Sequence, residues 1–365
     1  MSYIRGTAFF FLVLLAMGCT GFDLPSVDVS DSDAAGALNQ EAGLPDAASD
    51  ESDDAGPKSY VVSTLAGTGA TGATDGPGSE ATFNFPGAIA IGPDGSLYVT
   101  DGDANGKIRK IAADGTVSTY AGTGATGLTN GPCASASFSS SWGIAVDVAG
   151  NVYVADGVIR KIDSTCQVTT LAGGGKGGAG AVDGAGTAAS FSQPEGLTLD
   201  ASGNLYVADR GNNKIRKVDP DGNVTTVANL SAPAAITVDA VGTLYAVDDN
   251  YIYKIANGQV TTLAGRGASG LIDGPGTYAA FYGLLGITID ANGNLFVTDS
   301  NNNAVRKVTP DGEVTTIAGG VCGDADGPAN TATFNYPWGI AVDPDGVIYV
   351  ADWGNNKIRK ITPVY

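Results

Sequence analysis

The chain has 365 residues, with 38 acidic and 19 basic side chains, a formal net charge of −19 and no histidine. The acidic balance repels phosphate backbones and argues against nucleic acid as a partner. The missing histidines remove imidazole triads, imidazole general bases and the usual histidine-rich zinc and iron sites, and the four cysteines show no CxxC spacing for a zinc–thiolate centre.

In chain order, Arg5 precedes an unbroken apolar run, AFFFLVLLAM from Ala8 to Met17. It has the length of a signal-peptide core and is too short to span a bilayer as a mature helix. The run ends in LAMGC, which resembles the lipobox of bacterial lipoproteins, although Ala16 stands where that family prefers Leu and Leu15 lies one step earlier. The resemblance implies removal of residues 1–18 and lipidation of Cys19. Ordinary cleavage after Gly18 is the alternative and would release a soluble secreted protein. Residues 19–58 carry 10 acidic residues, one aromatic (Phe22) and the single base Lys58. Such a stretch buries too little apolar surface to offset ordering entropy, so a disordered tether is expected. A lipid-anchored protein of the cell envelope would then touch the membrane through its anchor alone, on the outer membrane, its periplasmic side or the cell surface.

Residues 59–365 are repetitive, and the period decides the architecture. The clearest unit is PWGIAVDPDGVIYVADWGNNKIRKI from Pro337, preceded by VTTIAGG from Val314. Each unit offers four short strands: a GIAVD-like run, an LYVAD-like run, a KIRKI-like run and a VTTLA-like run, joined by turn sequences such as PDG, ANGN and ADG. Units start at Pro86, Ser141, Pro194, Pro233, Leu284 and Pro337. The 39-residue step from Pro194 to Pro233 matches one bare four-stranded blade, and the other steps, of 51 to 55 residues, carry an extra segment. Six copies of the first three strands are followed by only five fourth strands. The sixth lies at the other end, as YVVSTLAG from Tyr60 to Gly67. The expectation is an all-β, six-bladed β-propeller of four-stranded antiparallel blades, with the N-terminal strand completing the last blade.

These units resemble NHL repeats, whose pattern runs P-x-G-I-A-V-D, then V-Y-V-A-D, then N-x-R-I, and the likeness extends from Tyr60 to Ile361. It implies the propeller fold but says little about activity, because propellers host many chemistries. Related six-bladed propellers include Ca²⁺-dependent lactonases and lyases. The lyases rely on histidine, which this chain lacks.

An Asp closing the second strand recurs with an Arg in the third: Asp101 with Arg109, Asp156 with Arg160, Asp209 with Arg216, Asp299 with Arg306, and Asp352 with Arg359. The fourth unit has Asp248 but Tyr253 in the Arg position. A pair repeated in five blades reads as framework, a bidentate Arg–carboxylate bond across each hairpin, because a catalytic group is needed only once or twice. The extra segments share one motif, as in DGPGSEATF (Asp75 to Phe83) and NGPCASASF (Asn130 to Phe138). Its leading Asp or Asn suits a cap on a single helical turn, and its Phe an apolar anchor. The dense ligand spacing of a Ca²⁺ loop is absent, so no metal or other cofactor is expected.

Function is sought where the repeat departs from itself. Fourth-to-first connections and second-to-third loops share one face, on which the extra segments are expected to add bulk. The residue at the start of the innermost strand runs Gly87, Trp142, Glu195, Ala234, Leu285, Trp338, and the residue after the recurrent Asp runs Gly102, Gly157, Arg210, Asp249, Ser300, Trp353. All three tryptophans fall in these two rings. They pack beneath the extra segments or, with Glu195, Arg210, Asp249 and Leu285, line a site for a protein, peptide or glycan. The reading is a monomeric, non-enzymatic binding scaffold, against a Ca²⁺-dependent lactonase-like hydrolase at the channel mouth. Of the remaining cysteines, Cys133 and Cys322 fall in extra segments and Cys166 in a turn on the opposite face; a Cys133–Cys322 bridge requires two segments to converge over the channel.

Overall fold

The computed structural model describes residues 57–102, 106–174 and 180–365, so the signal sequence, Cys19 and nearly all of the tether lie outside the described residues. Six antiparallel sheets make up the rest. Blade I comprises Pro86–Ile91, Leu97–Asp101, Lys107–Ile111 and Val117–Ala121, and blade II Gly143–Val146, Val152–Ala155, Ile159–Ile162 and Gln167–Ala172. Blade III comprises Pro194–Leu199, Leu205–Asp209, Lys214–Val218 and Asn223–Asn229, and blade IV Ala235–Val238, Leu244–Val247, Ile252–Ala256 and Gln259–Ala264. Blade V comprises Leu284–Ile289, Leu295–Asp299, Ala304–Val308 and Val314–Gly319. Blade VI has Pro337–Val342, Ile348–Asp352 and Lys357–Val364, and its outer strand is Ser59–Ala66 from the opposite end of the chain, paired from Ser59↔Val364 to Ala66↔Ile358.

The second strands are buried almost throughout, because they sit mid-blade and meet a neighbouring blade on each face. Val247 and Ile252 of blade IV, for example, pack with Ile287, Leu295 and Val297 of blade V. The Asp that follows the first strand in blades II to VI is turn hardware. Asp147 Oδ1 accepts the N–H groups of Ala149 and Asn151, and its Oδ2 accepts Asn151 Nδ2 and the Tyr153 hydroxyl. Asp200 repeats the arrangement with Ser202, Asn204 and Tyr206.

The recurrent Arg holds more than a hairpin. Arg109 is fully buried; its Nη1 donates to Asp101 Oδ2 at 2.6 Å and to the Thr82 carbonyl at 3.0 Å. Nη2 donates to Asp75 Oδ1 at 2.7 Å and to the Thr74 carbonyl at 2.9 Å. The guanidinium lies over the Phe83 ring, 5.1 Å from its centroid. The bond to Asp101 is therefore not the bidentate pair expected, because Asp101 Oδ1 is turned to the Asn84 N–H and the second arm of the Arg reaches into the extra segment. Arg216, Arg306 and Arg359 repeat the node with Asp183, Asp273 and Asp326. Burial pushes the partner carboxyls of Asp156, Asp299 and Asp352 up, Asp352 to about 6.

The leading Asp of each segment caps no helical turn. Asp75 accepts the Thr119 N–H and hydroxyl on the outermost strand instead, and the one such turn that is helical among the described residues, the 3₁₀ turn Gly186–Ala188, has no side-chain cap. The segments start against the second-to-third loops of the upper face, where Asn212, Asn302 and Asn355 donate their Nδ2 to the Gly180, Gly270 and Gly323 carbonyls, but they do not stay there. They run down the outer edge, where Gly131–Pro132, Gly184–Ala185 and Gly327–Pro328 add a fifth strand to blades II, III and VI, and Gly76 and Gly274 bridge to blades I and V. This descent brings Cys133 to the turn that holds Cys166. The two form a disulfide, and Cys133 N–H also donates to the Cys166 carbonyl, which replaces the Cys133–Cys322 bridge considered above. The segment of blade II is the one that begins with Asn130, so Arg160 meets an amide oxygen where its sisters meet a second carboxylate. The disulfide clips down the segment with the weakest electrostatic hold.

Arg216→Ala should destabilise the propeller by about 3 kcal/mol or more in urea denaturation, because it strands buried Asp209 without its charge partner; unchanged stability would count against the node. Cys133→Ser with Cys166→Ser should cost about 2–4 kcal/mol, and adding Asn130→Asp should recover part of that loss in the same denaturation series.

Candidate functional site at the channel mouth

The innermost strands converge on a central channel walled by first-strand residues of the blades, including Trp142, Glu195, Ala234, Leu285 and Trp338. It encloses ≈ 60 Å³, room for only a few waters, so a ligand would sit over the mouth rather than inside. Leu285, expected among the contact residues, is only 8% exposed and packs into the core between blades IV and V.

Aromatic rings gather on one side of the mouth. Trp142 of blade II stacks on Trp338 of blade VI with centroids 5.2 Å apart and planes at 26°. Blade I, between them, contributes only Gly87 to this ring, where an added Cβ would press on Thr100 Oγ1 at 2.8 Å. Trp338 lies 6.2 Å from Trp353, which stacks on Phe85 at 4.3 Å. Tyr336 tilts against both tryptophans, at 6.1 and 5.6 Å. The tryptophans are half-buried against one another rather than beneath the extra segments, and Phe85 is 40% exposed.

Sequence reasoning missed Phe85 and Tyr336. Each precedes the first proline of its repeat, at φ of 57° and 55°, a left-handed conformation costly for an aromatic residue. The last Asn of the preceding GNN or NNN turn holds each in place: Asn356 Oδ1 accepts the Phe85 N–H, and Asn303 Oδ1 the Tyr336 N–H, both at 2.8 Å. The signal that would have found them was present in the sequence, as aromatics at a position that is Ser140, Gln193, Ala232 or Gly283 elsewhere in the repeat.

The opposite side is charged. Arg210 Nη1 donates to Glu195 Oε2 at 2.9 Å, and Nη2 lies 3.7 Å from Asp249 Oδ1. Glu195 and Arg210 side chains are 17% and 23% exposed, whereas Asp249 is 65% exposed. Burial pushes the Glu195 carboxyl above its ordinary value against the pull of Arg210, and Asp249 adds to the push. Burial opposes the Arg210 charge, but Glu195 and Asp249 outweigh it and hold Arg210 above its usual value. The Tyr336 phenol, raised mainly by burial, feels the Arg210 charge and so joins the two sides. Of the expected contact residues, the structure thus brings together Trp142, Trp338 and Trp353 in one group and Glu195, Arg210 and Asp249 in another. Among the described residues no three Asp, Glu, His or Cys side chains are grouped to hold a metal ion.

Three stretches, 191–224, 281–308 and 334–361, match the NHL repeat model, and each contains a buried Arg with the Asp that ends its hairpin. Mouse teneurin-3 is 28% identical over 347 residues, which cover 76% of this chain and 12% of the teneurin; the chain thus spans a small part of that relative. A Bacteroides thetaiotaomicron protein of unknown function superposes with a TM-score of 0.68 at 23% identity, covering 83% of this chain and 76% of that one. A Bacteroides ovatus protein described as an auxiliary nutrient binding protein follows with TM-score 0.65 at 19% identity, covering 84% and 77%. A Xanthomonas campestris gluconolactonase reaches 0.57 at 15% identity, covering 85% and 91%. At these identities the solved structures speak to fold alone.

Arg210→Ala should move the Glu195 titration further up, since only the burial and the Asp249 charge then act on it; carbon-detected NMR of the side-chain carboxyl across pH reads this directly, and an unmoved titration would contradict the pairing. Repeat pattern, sheet order and structural likeness agree, and the chain is a six-bladed β-propeller carrying NHL repeats, closed by its own N-terminal strand.

Proposed function

We propose that this propeller is a non-enzymatic binding scaffold of the cell envelope, carried by a lipid on Cys19 and engaging a protein, peptide or glycan over its channel mouth. The observation that carries the reading is the continuous group Trp142, Trp338, Tyr336, Trp353 and Phe85, set opposite the Glu195–Arg210–Asp249 triad. Half-buried aromatic rings beside a few placed polar groups are the usual composition of a recognition site. The solved neighbour described as an auxiliary nutrient binding protein supports a binding role without naming a ligand. The gluconolactonase likeness favours the second reading, a hydrolase with Glu195 and Asp249 at its site, and a lactone-hydrolysis screen with and without Ca²⁺ separates the two.

The Trp142→Ala, Trp338→Ala double variant should keep its fold by circular dichroism and lose at least about tenfold in affinity for whatever glycan or peptide an array screen with the parent domain selects. Retained binding by a folded double variant would remove the mouth from consideration.

A further inference from the structure

The outer edge of blade IV differs from those of its five sisters. In blades I, II, III, V and VI the outermost strand is covered by the Asp/Asn-Gly motif of the extra segment preceding the blade. The contacts follow one scheme. A valine on the strand exchanges both backbone bonds with the motif glycine, as Val117 does with Gly76 at 2.8 and 2.9 Å and Val314 with Gly274 at 2.9 Å each way. Two residues on, a threonine donates its N–H and hydroxyl to the motif carboxylate, as Thr119 does to Asp75, Thr226 to Asp183 and Thr316 to Asp273.

Blade IV has no such segment before it. Its outer strand, Gln259–Ala264, reads QVTTLA, letter for letter the outer strand of blade II, Gln167–Ala172. Blade II's copy is covered by Gly131–Pro132, while among the described residues no strand pairs with the outer side of the blade IV copy, whose Gln259, Thr261 and Thr262 are exposed. Register places Val260 opposite Ile255 and Thr262 opposite Tyr253, the positions of Val117 and Thr119 in blade I. The groups turned outward are therefore the Val260 N–H and C=O and the Thr262 N–H and hydroxyl. The strand has no charge and no proline, and among the described residues no element covers it; its one bulge, at Leu263, lies past the Val260 and Thr262 positions. The Arg of the sister nodes is replaced by Tyr253, whose hydroxyl donates to Asp248, so nothing within the blade supplies the missing carboxylate.

We propose that the blade IV edge is a docking site for an extended segment of a partner protein bearing an Asp-Gly pair, which adds a strand as this chain's own segments do elsewhere. The glycine backbone exchanges bonds with Val260, and the Asp carboxylate accepts from Thr262. Main-chain pairing supplies the affinity and the carboxylate the selectivity.

The probe is a labelled peptide of this chain's own Gly72–Phe83 sequence, GATDGPGSEATF, titrated into the folded protein, in which the five sister edges are already filled. Saturable binding is expected, weakened by about tenfold when the peptide Asp is replaced by Ala, the cost of one charge-assisted bond. Val260→Pro should abolish binding while sparing the fold, because the lost N–H faces outward, a position edge strands tolerate. Thr262→Val keeps the strand shape and should weaken binding in the same sense as the peptide change. No binding at millimolar peptide, or binding indifferent to both the peptide Asp and Thr262, overturns the proposal. So does self-association of the parent protein in sedimentation that Val260→Pro dissolves, which would give the edge to a second copy.

Discussion

Five guanidinium groups buried to zero exposure hold this molecule in its shape. A buried charge is expensive unless it is paired and fully hydrogen-bonded. Each of these Arg side chains offsets that cost by collecting partners for its two terminal nitrogens from three places at once: the Asp that ends its own hairpin, the carbonyls of the preceding segment, and the carboxylate or amide at the segment's start; Nε is bonded as well in Arg306 and Arg359 and left without a partner in Arg109, Arg160 and Arg216. The cost of burying the charge thus becomes a reason for distant pieces of chain to meet. A Phe beneath each guanidinium closes the node from below, and Phe83, Phe138, Phe281 and Phe334 are entirely buried for it.

The departures from this scheme are coordinated. Blade IV loses the extra segment and the Arg together, and Tyr253 takes over Asp248 with a neutral bond. Blade II keeps the Arg but replaces the segment carboxylate with Asn130, and it is there that a disulfide secures the segment. The same framework builds the mouth. Asn303 and Asn356 end their short helical turns in a left-handed conformation and use their side chains to hold the next blade's Tyr336 and Phe85, so the recognition surface inherits its geometry from inter-blade joinery.

The fold was legible in the sequence because repetition averages out local ambiguity: one GIAVD or KIRKI run is an uncertain strand, but six in fixed order with a displaced VTTLA strand admit few arrangements. The Asp–Arg pairs were legible for the same reason. What escaped was the path of the extra segments. Their Asp looked like a helix cap, since a one-dimensional pattern shows the turn after Asp75 but not Thr119 beside it, 44 residues on. That error placed Cys133 on the wrong face and hid its pairing with Cys166. At the mouth, the rings containing Trp142, Trp338 and Trp353 were visible as exceptions to the repeat, whereas Phe85 and Tyr336 were overlooked at a position whose unusual backbone only the structure reveals. Leu285 held a ring position but is drawn into the core, as an aliphatic side chain with apolar neighbours should be.

The closing strand has a temporal consequence. Ser59–Ala66 is the first strand of the propeller in chain order, yet its partners lie in the final blade; Thr64, for one, bonds to Asp326 across 262 residues. During synthesis this strand must wait unpaired while the other five blades emerge, and the KIRKI-like third strands of those blades offer it near-identical wrong partners. Contacts of such long range form slowly. Each blade's own fourth strand fills the place beside its third strand as it emerges, and the extra segments, each arriving immediately before the blade whose outer edge it covers, then close the edges everywhere except blade IV. The order in which the ring is assembled, and not only its final stability, is thus written into where the Asp-Gly segments stand.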